Sequence, residues 1–248
     1  MLLRGIMERF FGWKILIEIP ESKITVVKRK DDRILLYSNI IYSKLSDRSI
    51  YTRSYWDYLT ALAALHENTR VLVLGLAGGT VPYQINKLFN GKVSIDAVEV
   101  DRNMVKAMRA FLPERLKARV IVEDGYDYVK RRGRKYDLVI LDMFKDLDIP
   151  KKFMGKDFID RVYAMLSDDG VLAVNYVFKH SGMRKYGFKR RLGKRFIMYT
   201  ISEPRLFGNK IFVCSKRLSK EAMLKRMEQR LPESKENEHI YDGYRKMR

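Results

Sequence analysis

Val71-Leu72-Val73-Leu74-Gly75-Leu76-Ala77-Gly78-Gly79-Thr80 is an apolar run of strand length that breaks into a glycine-rich turn. About twenty residues on, Val98-Glu99-Val100-Asp101 closes the next apolar run on an acid. An α/β sheet holds a nucleoside in this way: glycines let the backbone approach the ligand, and a carboxylate accepts from the ribose hydroxyls. Gly75, Gly78 and Gly79 do not spell G-x-G-x-x-G, so the turn departs from the dinucleotide fingerprint.

Working outward, the chain alternates beyond residue 70. Apolar runs predict strands at 70–75, 94–100, 119–123, 136–142 and 171–177. Helices are expected between them at 80–89, 102–111, 126–132 and 156–166. That rhythm implies a parallel sheet covered by helices on both faces. Two more strands, 195–202 and 210–215, are joined by the turn-rich Glu203-Pro204-Arg205-Leu206-Phe207-Gly208-Asn209, which suits an antiparallel pair. Five parallel strands finished by a C-terminal antiparallel hairpin is the layout of the Rossmann-like class I methyltransferase sheet, and it differs from a six-stranded dinucleotide fold. Upstream, Trp13-Lys14-Ile15-Leu16-Ile17-Glu18-Ile19 alternates like a strand, and 23–28 with 33–42 read as a hairpin about Lys30-Asp31-Asp32. Tyr55, Tyr58, Leu59, Leu62, Ala63 and Leu65 mark a helix within 51–65. The expected organisation is a small N-terminal β-rich lobe and connecting helix at 1–68, a nucleoside-binding catalytic domain at 69–218, and a C-terminal helix and tail at 219–248. In the last part, Ser219 caps a helix from 220 to 231, Pro232 stops it, and the charged remainder is expected to be mobile.

A length of 248 residues and a hydrophobic share of 46% suit one sizeable domain with a small appendage. The single cysteine, Cys214, excludes an intramolecular disulfide and a cysteine-based zinc cluster, which points to a reducing cytoplasm. No apolar stretch reaches the ~18 residues of a membrane span, and charge interrupts the N-terminal residues too often for a secretory signal. The net charge is +20. Residues 179–248 carry 20 basic and 7 acidic side chains, so the surplus concentrates there. Such a surface attracts polyanions, or it is the solvated surface of a protein that works hot. Lys185-Tyr186-Gly187-Phe188-Lys189-Arg190-Arg191-Leu192-Gly193-Lys194-Arg195-Phe196 interleaves basic and aromatic residues, as nucleic-acid binding requires. The same Phe188, Leu192 and Phe196 also recur at the spacing of a buried helical stripe.

In an open parallel sheet, ligands sit beyond the C-terminal strand ends. Those ends supply Gly75 to Thr80 (with Ala77, Gly78 and Gly79), Glu99 with Asp101, Asp124 with Gly125, and Asp142. Glu99 suits a ribose diol, since an ionised carboxylate accepts several hydrogen bonds. Asp124 suits an adenine amino group, with Gly125 giving room for the ring. Asp101, Asp124 and Asp142 could each instead cap the element that follows.

These motifs, with Tyr136-Asp137-Leu138-Val139-Ile140-Leu141-Asp142, resemble the spermidine synthase family of aminopropyltransferases and their methyltransferase-like relatives, over about residues 24–215. The resemblance implies a β-rich lobe before the sheet and an adenosyl thioether or sulfonium ligand. It implies that Glu99 holds the ribose, Asp124 and Gly125 meet the adenine, and Asp142 stands at the reacting centre.

The chain also departs from that pattern. Spermidine synthases carry an aspartate in the glycine turn that holds the amine of decarboxylated S-adenosylmethionine; Gly78 stands there. Tyr55-Trp56-Asp57 replaces Tyr-His-Glu, Ile41-Tyr42 stands where a glutamine is expected, and Asp142-Met143-Phe144-Lys145-Asp146-Leu147-Asp148-Ile149-Pro150 replaces Asp-x-x-Asp-Pro. A buried ammonium without a carboxylate is costly, whereas the carboxylate of S-adenosylmethionine can meet N–H groups at a helix start. The turn therefore favours S-adenosylmethionine and methyl transfer; the alternative is aminopropyl transfer from the decarboxylated form. Neither displacement calls for a metal. Asp142 is the candidate base, and Tyr55, Asp57 and Asp146 are candidate acceptor contacts. Asp57 or Asp146 could supply the missing carboxylate. The aromatic residues Tyr55, Trp56 and Phe144 could wall the acceptor site or belong to the core. The partners expected are a small-molecule substrate, nucleic acid through residues 185–196, and a second copy through the strand edges of the lobe.

Overall fold

The computed structural model describes residues 12–131, 133–144, 148–177, 184–202 and 208–248. Eleven strands are seen among them, in two sheets. The lobe sheet runs β1 (Lys14–Ile19), β2 (Ile24–Arg29), β3 (Asp32–Tyr37), β4 (Ile40–Ser46), each antiparallel to the next. The segment 33–42, expected as one strand, is two. Ser38 and Asn39 take left-handed backbone, φ 48° and 63°, and turn the chain into a second hairpin. Helix α1 (Tyr55–Ala61) and a short 3-10 turn (Leu62–Leu65) lead to the second sheet.

That sheet has seven strands in the order β10-β11-β9-β8-β5-β6-β7. Strands β5 (Arg70–Leu74), β6 (Ser94–Glu99), β7 (Arg119–Val122), β8 (Tyr136–Leu141) and β9 (Leu166–Val177) are parallel. Strands β10 (Ile197–Ile201) and β11 (Asn209–Ser215) close the sheet as an antiparallel pair, as expected. The chain leaves β5 toward β6 and β7 and later returns to its other side with β8. The end of β5 is therefore the switch point, where an open sheet leaves a crevice.

Side chains alternate across the strands. Val71, Val73, Ile95, Ala97, Leu138, Ile140, Val171 and Ala173 face a layer made of α1, α2 (Thr80–Leu88), α3 (Arg102–Phe111), α7 (Lys220–Arg230) and α8 (Glu238–Arg245). Leu72, Leu74, Val98, Val139, Leu141, Leu172 and Val174 face α4 (Gly125–Lys130), α5 (Lys156–Met165) and α6 (Arg184–Gly193). Each buried aliphatic side chain contributes about 1.5–3 kcal/mol, so the three layers fix the strand ends that carry the site.

Ser219 caps α7 as expected, its hydroxyl accepting from Ala222 N–H. The mobile-tail expectation is corrected. Residues 235–245 fold into a 3-10 turn (Lys235–Asn237) and α8, which buries Ile240 and Tyr244 against α1, and Tyr244 Oη donates to the Tyr58 carbonyl. No helix among the described residues is long and apolar enough to cross a membrane.

Candidate active site

Gly75 follows β5 and takes φ +92°. Asp142, the first residue beyond β8, donates its N–H to the Leu74 carbonyl, and a Cβ on Gly75 would stand 2.3 Å from the Asp142 carbonyl oxygen. Only glycine fits there, and the turn and Asp142 are thereby adjacent. Ala77 holds a left-handed φ of 46° in the same turn, a conformation that side-chain-bearing residues adopt at a cost.

Glu99 closes on this turn from β6. One of its oxygens accepts from the N–H groups of Leu76 and Ala77, both at 3.2 Å, and the other from Asp101 N–H at 3.1 Å. Burial pushes this carboxyl above the usual range, against the pull of the three N–H donors. A carboxylate has about four acceptor positions; the turn takes three and leaves one on the oxygen bonded to Asp101. Val100, next to it, is a 57% exposed apolar residue at a strand end, available as a flat-ring contact.

The capping readings hold for two acids. Asp101 caps α3 by accepting from Asn103 N–H at 2.8 Å. Asp124 caps α4 by accepting from Tyr126 N–H at 2.9 Å and Asp127 N–H, and its other oxygen accepts from the Lys152 ammonium. Burial raises the Asp124 carboxyl, but Lys152 and the cap donors outweigh it and hold the group below its ordinary value. Beside it, a Cβ on Gly125 would lie 3.2 Å from the Met143 sulfur, so Met143 lies against that glycine.

Asp142 sits on the floor of the crevice, surrounded by protein although part of its surface reaches solvent. Asn175 of β9 donates its Nδ2 to Asp142 Oδ1 at 2.7 Å. Burial outweighs that bond and pushes the carboxyl up to about 6. Tyr55, the first residue of α1, lies within reach of its charge: burial, then the negative charge of Asp142, raises the phenol well above its ordinary value, so it remains protonated at neutral pH. The Tyr55 ring lies 4.5 Å from that of Trp56, and Trp56 is buried in the core.

Other expectations meet a different structure. Asp57 is fully buried in a cluster away from open solvent. Its oxygens accept from Thr52 N–H and Oγ1, Arg53 N–H, Gln84 Nε2 and His239 Nε2, which ties α1 to α2 and α8. With five donors already on it, Asp57 is a structural hub rather than an acceptor contact. Asp146 lies outside the described residues. The lobe seals the turn at Gly78: its N–H donates to Ser43 Oγ at 2.8 Å, and a Cβ there would stand 2.6 Å from Ser43 Cβ and 2.9 Å from Phe111. In the basic stretch, Phe188 and Leu192 form the buried stripe of α6, and Phe196 beyond its end is buried in the same core, so these side chains pack on the core instead of on bases. Arg195 pairs with Asp160, and Arg191 donates to the Met154 carbonyl. Two hollows of about 340 and 470 Å³, beside α2 and α6, lie away from the strand ends. Among the described residues, no group of three or more His, Cys, Asp or Glu side chains could hold a metal ion.

Two side chains bonded to the candidate site, Ser43 and Asn175, are not evident from the sequence. The only signal for Asn175 was a lone amide inside the apolar run Val171-Leu172-Ala173-Val174-Asn175-Tyr176-Val177. Ser43 carried none, because its partner is 35 residues away.

The family profile described as spermine/spermidine synthase domain matches residues 54–187. The polyamine aminopropyltransferase of Pyrobaculum calidifontis is 30% identical over 167 residues, which cover 62% of this chain and 56% of that protein. The probable polyamine aminopropyl transferase of Bifidobacterium longum is 29% identical over 154 residues, 60% of this chain and 34% of that protein. The chain thus matches less than two thirds of the length of these relatives. A probable spermidine synthase from Corynebacterium glutamicum superposes with a TM-score of 0.68 at 16% identity, over 82% of each chain, which shows the shared fold. Since the profile spans more than half of its residues, this chain belongs to the spermine/spermidine synthase domain family.

Proposed function

We propose that the chain is a spermidine synthase-type transferase that binds an adenosyl sulfonium donor and moves its aminopropyl group onto an amine. The observation that carries this reading is Asp142, a carboxylate raised to about 6, whose N–H is bonded to Leu74 beside the glycine turn at the switch point and whose Oδ1 is held by Asn175. The relatives named polyamine aminopropyltransferases favour this aminopropyl reading over the methyl transfer that the glycine turn suggests by itself.

The residues present suit the nucleoside part of such a donor. The backbone of Gly75 to Gly79 forms its floor, Glu99 keeps one acceptor position for a ribose hydroxyl, and exposed Val100 offers an apolar face to the adenine. Asp124 would share its Lys152-bonded oxygen with the adenine amino group. The amine nitrogen attacks the carbon bonded to sulfonium, the carbon–sulfur bond breaks with its electron pair leaving on sulfur, and methylthioadenosine departs. Asp142 orients the amine and accepts the proton released from nitrogen. Positioning supplies most of the acceleration. Cys214, a buried free thiol, fits a cytoplasmic enzyme.

A second reading, methyl transfer from S-adenosylmethionine, is favoured by one observation: position 78 has no side chain, and Ser43 fills the space where a carboxylate for the donor's ammonium would stand. Product analysis by mass spectrometry tests both. Incubation with decarboxylated S-adenosylmethionine and a linear aliphatic diamine is expected to yield methylthioadenosine and an aminopropylated amine. Adenosylhomocysteine formed only from S-adenosylmethionine would favour the second reading, and no product from either donor would overturn both.

A further inference from the structure

We propose that Asn175 and Asn209 form a one-way relay that positions Asp142, committing one carboxylate oxygen to the protein and leaving the other to the acceptor amine. The inference rests on the reading of Asp142 as the acceptor's base.

Asn175 is fully buried near the C-terminal end of β9, between Val174 and Tyr176 in sequence. An amide in that place is costly unless its polar atoms are bonded. Its Nδ2 donates to Asp142 Oδ1 at 2.7 Å, and its Oδ1 accepts from Asn209 Nδ2 at 3.0 Å. An ionised carboxylate only accepts, so Asn175 must turn its NH₂ toward Asp142 and its carbonyl toward Asn209. Asn209 must in turn present its own NH₂. Chemistry therefore fixes both amide orientations, and every dipole in the chain points toward the negative charge.

The placement follows from the sheet. Asn209 begins β11 opposite Val177, and Ile211 lies opposite Asn175, so the two asparagines are diagonal neighbours on one face. That face is the one carrying Val171, Ala173 and Ile211, which packs in the same core cluster as α1 and Tyr55. Among the described residues, Asn175 is the one side chain that donates to Asp142, and its bond goes to Oδ1. Oδ2 is thus the oxygen offered to an amine. The titratable group facing Asp142 from the packed elements is the Tyr55 phenol, with Tyr42 of β4 next to it. Neither carries a positive charge, so the Asn175 amide is what favours the ionised form against burial.

The test is a carbon-13 NMR titration of the Asp142 carboxyl in full-length protein with labelled aspartate, assigned with Asp142→Asn. Wild type is expected to titrate near 6. Asn175→Ala is expected to move the midpoint up by roughly one pH unit or more, and Asn209→Ala to move it the same way by less. With decarboxylated S-adenosylmethionine and a diamine, Asn175→Ala should lower kcat roughly tenfold to a hundredfold and carry the acid limb of the rate profile upward with the midpoint, with KM for the donor unchanged. Should Asn175→Ala fail to fold, Asn209→Ala and Asn175→Ser decide the question, the serine restoring part of the donor. An Asp142 midpoint that stays put in the folded variants, or activity lost with no change in pH profile, would overturn the relay. If wild type turns over neither donor while the midpoints move as stated, the relay stands as a structural device and the transferase reading fails, so the two failures are distinct.

Discussion

Three backbone N–H groups, from Leu76, Ala77 and Asp101, point at the carboxylate of Glu99. Its removal unpairs all three and takes away the acceptor proposed for the ribose. Glu99→Ala is therefore expected to lower stability by ~1–3 kcal/mol and to abolish binding of methylthioadenosine in calorimetry; unchanged affinity would refute the role. At Asp142 the sign of the pH effect can be worked out. Its carboxyl binds its proton more tightly in the folded chain, about 6, than at the ordinary value of 3.8. The folded state holds the extra proton between those values, so stability falls as pH rises from about 4 to about 6 and stays lower above. At about 1.4 kcal/mol per pH unit, the loss is up to ~3 kcal/mol. Asp142→Asn should thus melt above wild type at pH 7, with the gap closing below about pH 4, while kcat falls at least a hundredfold. A melting gap independent of pH would contradict the burial of the charge. Glu99, Asp124 and Asp142 were legible in sequence because each ends an apolar run. What each bonds was not, since Lys152 and Asn175 arrive from other strands and turns.

At the scale of elements, β4 of the lobe and the glycine turn form one unit through Ser43 and Gly78. A methyl group at 78 meets Ser43 at 2.6 Å, so Gly78→Ala is expected to cost about 1–3 kcal/mol. Ser43→Gly in the same chain should return part of it, the 2.9 Å approach to Phe111 remaining, and denaturant melts of the two single variants and the double measure the coupling. Adding a carboxylate in the space so opened, as Ser43→Gly with Gly78→Asp, is expected to raise affinity for decarboxylated S-adenosylmethionine relative to S-adenosylmethionine at least tenfold. The parallel strands were readable because a strand buried on both faces is a continuous apolar run. Two elements were not. The Ser38-Asn39 turn sits inside an otherwise strand-like sequence. Helix α8 spreads Ile240 and Tyr244 among charges, and its apolar face has meaning only once α1 is there to cover it.

Across the whole molecule, α1, α2, α8 and the chain leaving the lobe are tied by the buried cluster around Asp57. His239 meets it from α8, Gln84 from α2, and Thr52 and Arg53 from the chain entering α1. Asp57→Ala is expected to lower stability by about 3–5 kcal/mol, non-additively with His239→Ala, and to leave methylthioadenosine affinity unchanged in whatever fraction folds. A loss of affinity in folded protein would return Asp57 to the site. The charge surplus remains a surface property; Phe188 and Phe196, interleaved with it, lie in the core. The central claim, an adenosyl sulfonium site serving aminopropyl transfer, is tested most directly by calorimetry with decarboxylated S-adenosylmethionine, S-adenosylmethionine and methylthioadenosine side by side. Binding of the decarboxylated donor and of methylthioadenosine, each at least tenfold tighter than S-adenosylmethionine, is the predicted result; preference for S-adenosylmethionine, or binding of none of the three, would contradict it.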